Sequence, residues 1–436
     1  MEIALDKINE TEALIKIKLN QDDYQKSVDE KIKDYSKKAN IKGFRPGKVP
    51  VGMIKKMYGT SILVDEINGM LSNKLMEYIQ QSDLQILGEP VPNTEKAASI
   101  DWDNQKDFDF EYHIGFAEDF DVAIDDNLKL TLYKIDVTDE VINETIENVA
   151  KQSGETTDVE EVAEGTNIAA TLVIGEEFNK EVSIEVDKLE KSGIKALKGK
   201  KADEEVTLKL DKDISVDYLS QITAGDVPAD AKEGVLKINK IQTVTPAAID
   251  EELYKKAFPN EEIENEEQFR NRVKEIISSN YDRESEFFFN QKTREQLIEK
   301  YQISLPEDFL KDWLIRNNEG LTAENIDTEF AMYADELKWS LIKGKVLKSE
   351  DIKIEPQEII EEAKNMIRMQ FAQSGFSGEE FENSLDSFAS NYLQGENGEN
   401  YRKIHNQVET QKVYNYIREN AAVEEKTVGL EEFRNL

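Results

Sequence analysis

Nine lysines and arginines fall between Glu30 and Tyr58, against two acids, Glu30 and Asp34. They are Lys31, Lys33, Lys37, Lys38, Lys42, Arg45, Lys48, Lys55 and Lys56. The whole chain of 436 residues carries 55 basic and 91 acidic side chains, a formal charge of −36. A local cationic excess on that background suits phosphate binding, because each cation neutralises an anion and releases counterions. The partner this chemistry points to is RNA-rich. The stretch centres on Gly43–Pro50, GFRPGKVP. Gly43 and Gly47 permit backbone angles closed to other residues, while Pro46 and Pro50 fix φ and stop helix continuation. The expected result is a tight tip that pushes Phe44 and Arg45 outward, with Lys48 beside them. An aromatic ring next to a planar guanidinium anchors a wet, charged interface. The plainer reading of the same residues is a turn between two surface helices with a solvated basic face. Nucleotide binding is excluded, since GFRPGKV has one residue too few between its glycines for a P-loop and no Ser or Thr after Lys48.

Other chemistries are thinly supplied. The chain has no cysteine, which removes disulfides, thiolate metal sites and cysteine nucleophiles. Its two histidines, His113 and His405, lie far apart in sequence. His113 falls on the polar, solvent-facing side of a predicted strand, and His405 on a helix face. Asp101 and Asp103 resemble the start of a calcium loop, but Gln105 and Lys106 occupy positions that need a ligand and a glycine. No catalytic residue, metal or cofactor is expected. The negative charge disfavours general nucleic-acid binding, so DNA is not expected as a partner. No run approaches the ~18–20 apolar residues of a membrane span. The first residues, MEIALDKINETEALIKIKLNQ, lack an apolar signal region, and the expectation is a soluble cytoplasmic protein without a membrane partner.

The length predicts two to four domains. Ile15, Ile17 and Leu19 alternate with lysines in a half-buried strand, paired with Ile3–Ile8. Asp22 or Asp23 caps a helix running to Ala39. A short helix follows the basic loop from Val51 to Tyr58. Thr60 or Ser61 then caps a longer one to Gln80, striped by Ile62, Leu63, Ile67, Leu71, Leu75 and Ile79. Asp107–Phe116 is the clearest strand, with Phe108, Phe110, Tyr112, Ile114 and Phe116 on one face. Residues 117–132 form an acidic, extended connection and 138–152 a helix. Residues 154–165 have little apolar content and are expected to be a linker. Short strands follow at 168–174, 182–186, 206–210 and 235–243. From Thr245 the pattern turns helical, with 266–300 as one long helix or a pair. A weak repeat places Pro306 and Pro356 as first helical residues after short extended pieces. The helix from Pro356 carries Ile359, Ile360, Ala363, Ile367 and Phe371. Phe287-Phe288-Phe289 spans more than one helix face, so at least one ring should be exposed. Met366, Met369, Phe371 and Phe376 make a soft apolar group near Gly375 and Gly378, suited to varied partners or to ordinary core.

Residues 41–59, IKGFRPGKVPVGMIKKMYG, closely resemble the ribosome-docking segment of bacterial trigger factor, and the rest of the chain resembles that family in length and domain order. The resemblance implies a multidomain α+β protein in four parts. These are an α+β ribosome-docking domain (1–116), a connection (117–153), a small β-rich FKBP-like domain (154–245) and an all-α domain with helical arms (246–436). It implies ribosome contacts at Gly43, Phe44, Arg45, Pro46, Gly47 and Lys48. Some members carry Lys after the Arg; Pro46 stands there here, and Lys48 is the nearest cation. It also implies a cradle for unfolded chain, assigned to Phe287, Phe288, Met366, Met369, Phe371 and Phe376. The partners implied are the large ribosomal subunit beside the exit tunnel and nascent polypeptides, with a homodimer off the ribosome. The family carries an FKBP-type prolyl isomerase in the middle segment. Here only Phe178 and Tyr218 are aromatic between Gly154 and Pro246, and SGIKALKG (192–199) stands where the family has an isoleucine-proline-glycine-phenylalanine stretch. A degenerate domain is the expectation. The function implied is an ATP-independent chaperone shielding nascent chains. A prolyl isomerase and a non-ribosomal scaffold are the alternatives.

Overall fold

The computed structural model describes the chain apart from Gly43, Pro46, Asp83, Glu176, Glu177, Asp226, residues 228–230, Asn260, residues 373–377 and the side chains of Ala372, Glu379 and Glu380. It divides into two compact units: residues 1–131 with 288–424, and residues 132–287 with 425–436.

The first unit opens with β1 (Glu2–Lys7), β2 (Glu12–Leu19), α1 (Gln21–Lys38), α2 (Val51–Gln81), β3 (Gln85–Pro92), α3 (Thr94–Ala98) and β4 (Phe108–Ala117). The four strands form an antiparallel sheet in the order β1-β2-β4-β3. Period-two alternation sends Ile15, Ile17 and Leu19 to one face with Phe108, Ile114 and Phe116. Tyr24, Val28 and Ile32 of α1 and Ile54, Ile67, Leu71 and Leu75 of α2 close that core. Two helix boundaries differ from the sequence reading. The Asn20 N–H donates to Asp23 Oδ2 at 2.9 Å, so α1 begins one residue before the acids, with Asp23 folding back onto the cap. The second helix is one piece of 31 residues. Its apolar stripe stays in phase through Ile54, Tyr58 and Ile62, and burial there outweighs the roughly 1 kcal/mol that Gly59 costs. Thr60 is interior and donates to Asp103 Oδ1 at 2.9 Å. The sequence reading omitted β3, an edge strand that tolerates Pro90 and Pro92.

The strand β5 (Lys129–Ile135) ends the acidic connection and leads to α4 (Asp139–Gln152), capped by Thr138. Then come β6 (Glu155–Asp158), β7 (Thr166–Ile174), β8 (Phe178–Glu185), α5 (Lys191–Leu197), β9 (Glu205–Lys209), α6 (Val216–Thr223) and β10 (Glu233–Thr245). The sheet runs β6-β10-β7-β8, with β9 also on β10. Glu155–Asp158 was expected in a linker and is an edge strand. All four of its residues are exposed, so it carries no hydrophobic period to detect. Ile168, Leu172, Ile184, Leu208, Leu236 and Ile238 centre the core. A second core joins α4 to α7 (Glu251–Ala257) and to the first half of α8 (Glu266–Tyr301), with Tyr254 stacked on Phe269 at 4.7 Å. The long helix is single, 36 residues.

The first unit resumes with α9 (Glu307–Asn317), α10 (Ile326–Ser349), α11 (Pro356–Ala372), α12 (Glu379–Gln394) and α13 (Glu399–Asn420). Pro356 is the first residue of its helix, whereas Pro306 is the cap before α9. Neither α10 nor α12 was foreseen. Ile359, Ala363, Ile367, Leu385, Ala389 and Ile404 bind α11, α12 and α13 together. Last come β11 (Ala422–Val428), which pairs with β5, and α14 (Leu430–Phe433). Among the described residues no helix is long and apolar enough to cross a membrane.

The polar face of the first sheet is covered by α9 at one end. Its β4 glycine, Gly115, lies under α9 so closely that a Cβ would fall 2.4 Å from Phe309 Cδ1 and 2.7 Å from Pro306 Cγ. Gly88, at φ +73°, holds the Trp313 ring in the same way, with a Cβ 3.1 Å from Cδ2. His113, expected in solvent, meets Phe309 edge-on at 5.0 Å and Glu12 Oε2 at 2.8 Å. The strand's polar alternation reports one covered face; the two glycines create the second.

Candidate docking tip and client surface

The tip is built by α1, α2 and the loop between them. The Phe44 N–H donates to the Ile41 carbonyl at 3.0 Å, and the Lys48 N–H to the Arg45 carbonyl at 2.9 Å. Gly47 sits at φ +76°, and a Cβ there would lie 3.2 Å from the Lys37 carbonyl oxygen. Both observations favour glycine. Val49 is buried and Phe44 half-buried against the core of the sheet and helices. This corrects one expectation: Phe44 leans inward and anchors the loop, because burying the ring is worth more than exposing it. Arg45 and Lys48 are exposed. Gly43 and Pro46 lie outside the described residues.

Of the nine cations, Lys31 pairs with Glu66 at 3.5 Å and Lys37 with Asp34 at 3.0 Å. The hydrogen bond from Lys37 holds the Asp34 carboxyl below the usual range. The other seven have no ion pair among the described residues. Beside them, Tyr35, Val51, Met53 and Met57 are exposed. Only helix phase marks this apolar margin, and the sequence reading missed it.

Of the described residues assigned to client contact, Phe287 and Phe288 lie on α8 and Met366, Met369 and Phe371 on α11. Phe287, 71% exposed, belongs to the second unit. Phe288, in the first unit, lies under Lys292 at 5.3 Å, and Phe289 is buried. Met366, Met369 and Phe371 share α11. Met366 packs on the helical core, while Met369 is 59% exposed. Phe376 and Gly375 lie outside the described residues. Phe371 has two further neighbours on α12, Phe381 at 5.4 Å and Phe388 at 6.3 Å. Phe388 is 43% exposed. Sequence reasoning missed this pair, although the i, i+7 spacing was available. Arg368 clasps the two helices, with Nη2 3.0 Å from Glu382 Oε2.

In the middle domain both aromatics are core. Phe178 and Tyr218 are each 7% exposed, and the Tyr218 hydroxyl accepts from the Glu185 N–H at 2.7 Å. His405, on α13, has Nδ1 3.6 Å from Glu409 Oε1.

Three family models match the chain in order. Residues 1–149 match the bacterial trigger factor protein, 156–246 the trigger factor FKBP-like domain and 285–436 the trigger factor C-terminal domain. The trigger factor of Salinibacter ruber is 21% identical over 98% of this chain and 95% of its own. That of Rickettsia conorii is 24% identical over 79% and 80%. That of Agrobacterium fabrum is 30% identical over 32% and 29%. A solved trigger factor chaperone structure, described for promiscuous substrate recognition in folding and assembly, is 16% identical over 96% of this chain and 99% of its own, with a TM-score of 0.47. The chain belongs to the trigger factor family of chaperones.

Proposed function

We propose that this chaperone docks on the large ribosomal subunit beside the exit tunnel and shields nascent polypeptides without a nucleotide cycle. The observation that carries the reading is the exposed Arg45 and Lys48, without an ion pair among the described residues, at a glycine-shaped tip in a chain of charge −36. Arg45 offers a fork that matches phosphate, and Lys48 a point charge. Gly43, Phe44, Pro46 and Gly47 are the other contact residues of this reading, with Phe44 anchoring the loop and Gly47 turning it. Docking raises the effective concentration of the apolar surfaces where chains emerge. Phe287, Phe288, Met366, Met369, Phe371 and Phe376 supply those surfaces, joined by Phe388. Each large side chain fully buried there contributes about 1.5–3 kcal/mol, so a client leaves when its own core competes better. The site of action is the cytoplasm, with a homodimer as the form off the ribosome. The burial of Phe178 and Tyr218 weighs against prolyl isomerisation as the main activity.

Co-sedimentation with ribosomes across a salt series tests the docking. An Arg45→Ala/Lys48→Ala variant keeps the Phe44 anchor. It should bind more weakly, with a log–log salt slope shallower by about 2. Equal binding by both proteins would move the contact elsewhere on the chain.

A further inference from the structure

Between β4 and β5 the chain is neither helix nor strand over residues 118–124, yet its burial alternates. Phe120, Val122 and Ile124 are half-buried, while Asp119, Asp121, Ala123 and Asp125 are exposed. A period of two belongs to an extended chain lying with one side on a surface. Among the described residues no strand pairs with this segment. The end of α8 and the second half of α10 hold it instead. The Tyr301 hydroxyl accepts from the Ala123 N–H at 2.9 Å and donates to the Ala123 carbonyl at 2.9 Å. A hydroxyl has one proton and two lone pairs, so it can read both main-chain groups of a residue whatever the side chain. The Phe120 ring lies 6.4 Å from the Tyr301 ring, and Lys345 Nζ stands 5.5 Å over the Phe120 ring. Lys345 also pairs with Asp119. Lys300 Nζ, 5.2 Å over the Tyr301 ring, adds a second cation to this shelf. Main-chain hydrogen bonds combined with seats for alternate side chains are how proteins hold extended peptides. Here the occupant is the protein's own chain.

We propose that this shelf is a binding site for extended segments that alternate apolar and acidic side chains, and that residues 118–124 fill it as a built-in competitor. The inference deepens the client reading above, since it adds a site at Tyr301 and Lys345 and a device that controls it. Charge complementarity sets the class of partner: the shelf offers Lys300 and Lys345, and its present occupant brings Glu118, Asp119 and Asp121. Anchored at both ends by β4 and β5, the segment rebinds at high effective concentration. An incoming chain must displace it, so the apparent affinity falls with the fraction of time that the shelf is bare.

The test uses the full chain and a fluorescein-labelled EDFDVAID octapeptide, the sequence of residues 118–125, followed by anisotropy. Phe120→Ala/Val122→Ala removes two apolar seats from the segment without altering net charge. It should bind the octapeptide about tenfold more tightly than wild type. Asp119→Asn, at an exposed side chain, loosens the segment by a second route and should bind about threefold more tightly. In the double-alanine background Tyr301→Phe, which removes only a hydroxyl, should weaken binding about fivefold. Lys345→Glu should abolish it. A FVAIEDDD peptide, of the same composition without the alternation, should not bind. Binding no tighter in either loosened variant, binding indifferent to Tyr301→Phe and Lys345→Glu, or equal binding of the two peptides would overturn the proposal. Suppression of aggregation of an apolar client by wild type reports the chaperone reading separately, because octapeptide binding does not depend on it.

Discussion

Replacing Gly115 by alanine should loosen α9 from the sheet beneath it. The added methyl carbon would sit 2.4 Å from Phe309 Cδ1 and 2.7 Å from Pro306 Cγ. Carbon atoms pack best at about 3.5–4.0 Å, so the ring or the helix must retreat by about 1 Å. Little room exists for that. Phe309 is 3% exposed and Leu310, the next residue, is fully buried. Overpacking of this kind costs about 1–3 kcal/mol. Hydrogen exchange of the α9 amides, followed by mass spectrometry, reads the loss locally in a multidomain chain. Those amides should exchange about 5- to 150-fold faster, the factor equivalent to 1–3 kcal/mol. Phe309→Ala alone is costly too, since it empties a buried site. The diagnostic quantity is the cycle: Gly115→Ala should cost less in the Phe309→Ala background, because the nearest clash is gone. If Gly115→Ala leaves α9 exchange unchanged, or costs the same in both backgrounds, the close approach is not what fixes α9.

Two further outcomes are expected. Phe388→Ser should weaken suppression of client aggregation while shifting the melting temperature little, since the ring is 43% exposed. A large loss of stability would instead make it core. Glu111 is held below the ordinary glutamate value of 4.5, first by its hydrogen bond from Lys96 and then by that from Asn93. A carboxyl depressed in the folded state stabilises the fold fully above its unfolded pKa, and the contribution fades as pH falls through the lower folded value. Denaturation of Glu111→Gln should therefore trail wild type at pH 7 and converge with it in the acid range below 4.5. A constant gap at all pH values would assign Glu111 a packing role only.

Much of the fold could be read because burial leaves a period. Ile15-Ile17-Leu19 in β2 and Phe108 to Phe116 in β4 alternate cleanly, and each becomes an interior strand of the sheet. Where burial leaves no period, the reading failed. The β6 strand is wholly exposed and exists through its register with β10, which sequence spacing does not encode. The α9 contact with β3 and β4 rests on two glycines, Gly88 and Gly115, whose value lies in what they lack. The tip divides along the same line. Its cations declare themselves by type, since charge needs no partner to be recognised. The inward lean of Phe44 depends on a core assembled from distant strands and helices. Phe388 was passed over for the opposite reason: its spacing from Phe381 on α12 is that of ordinary core, and only its exposure separates it from that core.

The distribution of ion pairs bears on how so acidic a chain would address RNA at one place if the tip docks as proposed. Many cations elsewhere are tied to carboxylates, among them Arg368 to Glu382 at 3.0 Å, Arg272 to Glu261 at 2.8 Å and Lys412 to Glu358 at 2.6 Å. Exposed pairs of this sort contribute only about 0–1 kcal/mol each, so stability is a poor account of them. Their larger effect is on the field. A paired lysine offers a phosphate little, and the surplus acids repel it. Among the described residues seven of the nine tip cations escape that neutralisation, and potentials from the acids decay within a Debye length of about 8 Å at physiological salt. An RNA-rich surface approaching from any direction therefore meets attraction at the tip and repulsion over the acidic remainder. Orientation then follows from charge before any shape is matched, and the glycine-built loop has only to refine it.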